Sequence, residues 1–114
     1  MKKILITGGN GLLGQSLRSF LSKENFEVIA SGLRDDRLVN HNHAYISLDI
    51  SKKKDCLNVL NTFNPDIIIN TAAITNVDYC EVNKDECLKV NTDAVSHFLP
   101  FCKNNNKKFI QIST

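Results

Sequence analysis

The chain has 114 residues, room for one domain and no second. A composition of 42% hydrophobic and 23% charged residues is that of an ordinary globular protein and excludes a disordered one. A net charge of +2 is too small to point to nucleic acid or an anionic membrane, and no stretch approaches the ~20 apolar residues of a membrane span.

Met1-Lys2-Lys3 ahead of Ile4-Leu5-Ile6 has the outline of a secretion signal, but Thr7 and the glycines break the apolar run at once. A cytoplasmic protein is expected, with Lys3 to Thr7 as a short buried strand. Leu13, Leu17, Phe20 and Leu21 then recur at helical spacing and predict an amphipathic helix to about Lys23. Phe26 to Ser31 is a second strand and Ala44 to Leu48 a third. Ser51 is placed to cap a helix whose inward face is Cys56, Leu60 and Phe63. After Pro65, Asp66 to Asn70 is the clearest buried strand. A long helix is expected from about Asn83 to Lys103, with Cys87, Val90, Ala94, Phe98 and Phe101 inward and Pro100 distorting its last turns. Lys108 to Ser113 is the fifth strand.

Strands this apolar, alternating with helices, predict an α/β fold: a Rossmann-type, doubly wound parallel sheet of about five strands in the order 3-2-1-4-5. One domain spans residues 1–114. Cys56, Cys80, Cys87 and Cys102 form no C-x-x-C pair, which favours free thiols over zinc or disulfides. His41 and His43, two apart in a polar stretch, read as loop surface, so no metal site is expected.

The first turn fits three phosphate-binding spellings. Gly9-x-Gly11-x-x-Gly14 is the dinucleotide fingerprint, and Gly8-x-x-Gly11-x-x-Gly14 is its wider relative. The third, an ATP/GTP-binding loop, needs a lysine where Gln15 stands and fails on that. The surviving two share one mechanism, in which a strand leads into a glycine turn and the next helix offers free N–H groups to a pyrophosphate. Gly11 lets the backbone approach the phosphate, and Gly14 lets the helix sit close to the sheet.

The second strand ends Ser31-Gly32-Leu33-Arg34. An acidic residue there would read the ribose hydroxyls of NAD; an arginine instead pairs with a 2′-phosphate. Arg34, with Arg37 assisting, favours NADP(H), and Asp35 and Asp36 keep NAD(H) as the alternative. Asp49 after the third strand is placed to accept from an adenine amino group, or else to begin the next helix. Asn70, followed by the small Thr71, Ala72 and Ala73, leaves room for a flat ligand. Asn91 falls on the inward stripe of the long helix, where a buried amide needs partners.

Taken in order, Thr7-Gly8-Gly9-Asn10-Gly11-Leu12-Leu13-Gly14, Asp49-Ile50, Asn70-Thr71-Ala72-Ala73 and Val90-Asn91-Thr92 resemble the signatures of the extended short-chain dehydrogenase/reductase family. Within it, NPDIIINTAAITNVDYCE, VNTDA and FIQIST are most similar to the dTDP-4-dehydrorhamnose reductases. The resemblance implies cofactor-binding roles for Gly8, Asn10, Gly11, Leu12, Leu13 and Gly14 at the pyrophosphate. It implies Arg34 at the 2′-phosphate and Asp49 and Ile50 at the adenine. Ala72, Ala73 and Thr75 fall on the ribose and nicotinamide side, with Asn70 and Ile112 in the same cofactor-binding set. Thr114 matches the hydroxyl that joins a tyrosine and a lysine in the family's catalytic group.

That tyrosine and lysine, spaced Y-x-x-x-K, are absent: Tyr45 is followed four later by Asp49, and Tyr79 by Asn83. The chain is therefore expected to be a truncated, N-terminal part of such an enzyme, inactive alone, with the substrate lobe absent. The resemblance implies hydride transfer to a dTDP-4-keto-6-deoxy sugar in the complete protein. Alternatives are a sugar-nucleotide epimerase or dehydratase of the same family, or a dinucleotide-binding regulatory subunit like that of methionine adenosyltransferase. The fifth strand leaves an apolar edge open to association, a homodimer among the outcomes.

Overall fold

The computed structural model describes residues 1–71 and 81–112, and for residues 88–91, 93 and 94 the backbone alone. Strand β1 (Lys2–Thr7) is buried from Ile4 onward because it has a neighbour on each side. It is followed by α1 (Leu12–Ser22), β2 (Phe26–Gly32), β3 (Ala44–Ser47), α2 (Lys53–Phe63), β4 (Ile67–Asn70), α3 (Lys84–Asn104) and β5 (Lys108–Gln111). The strands form one parallel sheet in the order β3-β2-β1-β4-β5. The doubly wound expectation therefore holds strand for strand.

Successive residues of a strand point to opposite faces, and both faces here are apolar. Ile4, Ile6, Val28 and Ile69 pack on one face, against Leu17 and Leu21 of α1. Leu5, Ile29 and Ile68 pack on the other, against Cys56, Val59 and Leu60 of α2 and Phe98 and Cys102 of α3. Each such side chain contributes about 1.5–3 kcal/mol on burial. Asp66 pins the entry to β4, accepting from the Lys3 amide at 2.9 Å and from Lys107 Nζ at 3.0 Å.

Three local expectations are corrected. In α1 the buried positions are Gly14 and Arg18, whereas Phe20 is 62% exposed and Leu13 is also on the surface. The helix is rolled by the close approach of Gly14 to the glycine turn, which hydropathy spacing does not register. Ser51 does not cap α2, which begins at Lys53 after Lys52; its hydroxyl donates to Asp49 Oδ1 at 2.6 Å. Cys56 and Cys102 are free, as expected, and buried, but Cys87 is disulfide-bonded, because spacing alone does not decide which thiols a fold brings together. Pro100 lies inside α3, which continues to Asn104.

Among the described residues no helix is long and apolar enough to cross a membrane, and no cluster of three or more His, Cys, Asp or Glu is placed to hold a metal ion.

Candidate dinucleotide-binding site

Ligands of open parallel sheets bind beyond the carboxyl ends of the strands. Here β1 delivers the chain into Gly8, whose φ of 68° lies in the left-handed region that glycine tolerates. The turn is held by main chain: the Gly9 amide donates to Ser31 O at 2.7 Å and the Gly11 amide to Gly8 O at 3.1 Å. Gly14 closes it. A Cβ at Gly14 would overlap the Gly8 carbonyl and stand 2.9 Å from Gly9 Cα.

Gly11 is different. It caps α1 with φ −73° and ψ 169°, a conformation open to any residue, and makes no side-chain cap. A Cβ there would meet only Gly8 O, at an ordinary 3.5 Å. Neither backbone strain nor packing among the described residues calls for glycine at this position. Among the described residues Gln15 carries the first α1 amide with a main-chain acceptor, donating to Gly11 O at 2.9 Å. The amides of Leu12, Leu13 and Gly14 are thus left at the positive end of the helix. Leu12 itself is 91% exposed.

Beyond the carboxyl end of β2, Arg34 is exposed and its guanidinium has no partner among the described residues. Its backbone is tied down: Tyr45 OH donates to Arg34 O. Asn10, expected to touch the cofactor, spends its side chain on this loop. Its Nδ2 donates to Asp35 O and to Tyr45 OH, each at 3.1 Å, and its Oδ1 accepts from the Arg37 amide at 2.9 Å.

Beneath both lies Arg18, fully buried. Its Nη1 and Nη2 grip Asp36 at 2.8 and 2.9 Å, Nη1 also donates to Gly9 O at 3.0 Å, and Nε donates to His43 Nε2 at 2.9 Å. His41 Nε2 stands 2.5 Å from Asp36 Oδ2, and the His41 and His43 rings stack 3.9 Å apart. Hydrogen bonding from Arg18 holds the Asp36 carboxyl well below the usual carboxylate range. Burial, aided by His41 and Arg18, pushes His43 down to about 4, so it stays neutral and accepts from Arg18. The two histidines are therefore structural, and the loop-surface expectation is corrected. A fully buried cation needs an anion and acceptors, and this loop supplies them.

A polar row crosses the carboxyl ends of the central strands. Thr7, Asn70 and Gln111 are in register; Thr7 Oγ1 donates to Asn70 Oδ1, and Asn70 Nδ2 to Gln111 Oε1 at 2.8 Å. Thr71 Oγ1 donates to Thr7 O at 2.6 Å and Gly8 O at 3.2 Å, bracing the turn from β4.

The description "RmlD substrate binding domain" belongs to the family whose pattern matches residues 1–114. The chain belongs to that family. The dTDP-4-dehydrorhamnose reductase of Aggregatibacter actinomycetemcomitans is 30% identical over 115 residues, covering 100% of this chain and 35% of that protein. Among solved structures, a hypothetical dTDP-4-dehydrorhamnose reductase from Sulfolobus tokodaii is 33% identical with a TM-score of 0.80, over 97% of this chain and 38% of that one. L-threonine dehydrogenase from Clostridium difficile is 30% identical with a TM-score of 0.87, over 100% of this chain and 37% of that one. The chain thus spans about a third of the length of the relatives it matches.

In this member of the RmlD family, Gly8, Asn10, Gly11, Leu12, Leu13, Gly14 and Arg34 gather at one end of α1. Asn70 and Ile112 meet at the other side of the turn, where the Ile112 amide donates to Asn70 O at 3.1 Å. Asp49 Oδ1 accepts from the Ser51 amide and hydroxyl, which hold its carboxyl low, so that one oxygen serves the turn into α2. Ile50 is buried, and its carbonyl lies 2.9 Å from His97 Nδ1. Ala72, Ala73, Thr75 and Thr114 lie outside the described residues, as do Tyr79, Cys80 and the Asn91 side chain. A cavity of about 750 Å³ opens at the amino ends of β1 and β2 between Lys3, Phe26 and His43. It is at the opposite edge from the glycine turn, and the chemistry of the turn outweighs its size.

Proposed function

We propose that this chain holds the dinucleotide of a reductase acting on a dTDP-4-keto-6-deoxy sugar, with NADP(H) preferred over NAD(H). The observation that carries the reading is Gly11, a glycine that its own backbone and the packing of the described residues do not require. What it leaves room for is a group outside the chain, next to helix amides suited to an anion. Arg34, unpaired among the described residues, supports the 2′-phosphate preference. The names of the relatives support the sugar-nucleotide substrate.

When bound, NADPH would supply a hydride to a ketone. The chain's own residues do the rest. The Leu12, Leu13 and Gly14 amides hold the pyrophosphate, Arg34 reads the 2′-phosphate, and Asp49 and Ile50 border the adenine. Asn70, Ala72, Ala73, Thr75 and Ile112 flank the ribose and nicotinamide, and Thr114 orients the carbonyl. Tyr45 is committed to Arg34 O and is no proton donor.

Calorimetric titration of NADPH tests the reading. Gly11→Val should abolish binding while the variant still unfolds cooperatively; equal affinity in both proteins would overturn it. Arg34→Ala should narrow the NADPH-over-NADH preference about ten- to hundredfold, the worth of a charge-assisted hydrogen bond. Oxidation of NADPH on adding a dTDP-4-keto-6-deoxy sugar, measured with any residues the gene supplies beyond Thr114, tests the substrate class.

A further inference from the structure

We propose that Tyr45 and Asn10 are positioning residues that set the nucleotide preference of this site by fixing the backbone that carries Arg34. The proposal rests on the reading of Arg34 as the 2′-phosphate contact.

Tyr45 stands on β3, a strand away from the glycine turn, and its side chain reaches across β2 to the loop beyond. Its hydroxyl donates to Arg34 O and accepts from Asn10 Nδ2 at 3.1 Å. The same Asn10 nitrogen donates to Asp35 O at 3.1 Å, and Asn10 Oδ1 accepts from the Arg37 amide at 2.9 Å. Only this orientation of the amide puts donors on carbonyls and the acceptor on an N–H. Three main-chain groups at residues 34, 35 and 37 are thereby fixed by two side chains. Asn10 is itself fixed, since its carbonyl accepts from Gln15 Nε2 at 2.7 Å. It belongs to the phosphate turn, so turn and loop are held as one unit.

Two further features point the same way. Gly32 ends β2 where a Cβ would come 2.8 Å from Tyr45 OH and 2.9 Å from Asn10 Nδ2, so a side chain there would separate the pair. The Arg18 guanidinium lies 5.5 Å from the centre of the Tyr45 ring, holding the ring against the buried network. Burial raises the Tyr45 pKa, which keeps its hydroxyl a donor. An arginine on a fixed backbone gives up only side-chain freedom when it grips a phosphate; on a loose loop it gives up backbone freedom as well.

The test is Tyr45→Phe, which removes one oxygen and keeps the ring. Dissociation constants for NADPH and NADH are measured calorimetrically on the chain, with Arg34→Ala and the double variant alongside. Tyr45→Phe should narrow the preference for NADPH about two- to tenfold, the worth of one hydrogen bond, and leave NADH affinity unchanged. In the double variant the effect should vanish, because nothing remains to be positioned. A preference that responds to Arg34→Ala but not to Tyr45→Phe would overturn the role of Tyr45 alone. A preference untouched by Arg34→Ala would sink the Arg34 reading itself. Amide hydrogen exchange in the nucleotide-free chain tests the clamp without any ligand. The Arg37 amide should exchange faster in Asn10→Ala than in wild type, and an unchanged rate would overturn the clamp however tightly nucleotides bind.

Discussion

At the glycine turn on the carboxyl edge the described residues present main chain and open space: Gly8 in a left-handed turn, Gly11 where an added Cβ would meet only the Gly8 carbonyl, and amides at the start of α1 with no main-chain acceptor among the described residues. Around the loop after β2 the protein presents a dense set of polar side chains, with Arg18, Asp36, His41 and His43 below and Asn10 and Tyr45 above. On the proposed reading, the first region is shaped by what a ligand must find empty. The second is shaped by what a buried cation and a loop must find filled. Substitutions should therefore separate the two, affecting binding in one and stability in the other, and Gly14 marks the seam between them.

Gly14→Ala should have the largest effect. Its Cβ would collide with the backbone of Gly8 and Gly9, which cannot rotate aside as a side chain can. A loss of about 3 kcal/mol or more is expected, at the upper end for overpacking, read by urea unfolding. Gly11→Val should cost under about 1 kcal/mol by the same measurement, the scale of an N-cap change. Equal losses at the two glycines would erase the distinction between a packing glycine and a ligand glycine.

Arg18→Met comes next. Removing the arginine leaves Asp36 and His43 without their main partner, and breaking a buried pair costs about 3 kcal/mol. Because Asp36 is partly exposed, water will recover some of that. Adding Asp36→Leu to the variant should restore part of the stability, since an apolar pair leaves no stranded charge. A change below about 0.5 kcal/mol for Arg18→Met would show that the network does not hold the loop.

The contrast also explains what could be read from the sequence. The sheet order follows from apolar strands alternating with helices, and the glycine turn is legible because its demands are local. Arg18 was not legible. It sits between Leu17 and Ser19 like any surface arginine, while its partners Asp36, His41 and His43 are 18 to 25 residues away along the chain. Read as an apolar stripe, α1 put Phe20 inward, because a buried arginine scores as a polar position. Asn10 occupies a variable place in the motif, and its bonds to Asp35, Arg37 and Tyr45 exist only once β2 and β3 have paired. A polar residue in the helix, an acid and two histidines after β2 are the signal that was present, but nothing in their spacing says that they meet.

The smallest expected effect concerns pH and singles out His43. Burial and the neighbouring charges hold its folded-state pKa at about 4, against 6.5 for an ordinary histidine. The unfolded chain therefore binds a proton that the folded protein refuses, at every pH between those two values. Stability contributed by neutral His43 is fully present above about pH 6.5 and falls as pH drops towards 4. The ring is only partly buried, so solvent reduces the effect to about 1 kcal/mol over the window. Protonation would also set an imidazolium against the Arg18 Nε–H that it accepts from, and among the described residues no carboxylate other than Asp36 is in the cluster to offset it. His43→Gln keeps an oxygen acceptor for Arg18 and removes the titration. Its stability should change less than that of wild type when urea unfolding is compared at pH 7.5 and pH 5. If the two profiles run parallel, His43 is not the group that titrates, and the neutral acceptor assigned to it beneath the loop is wrong.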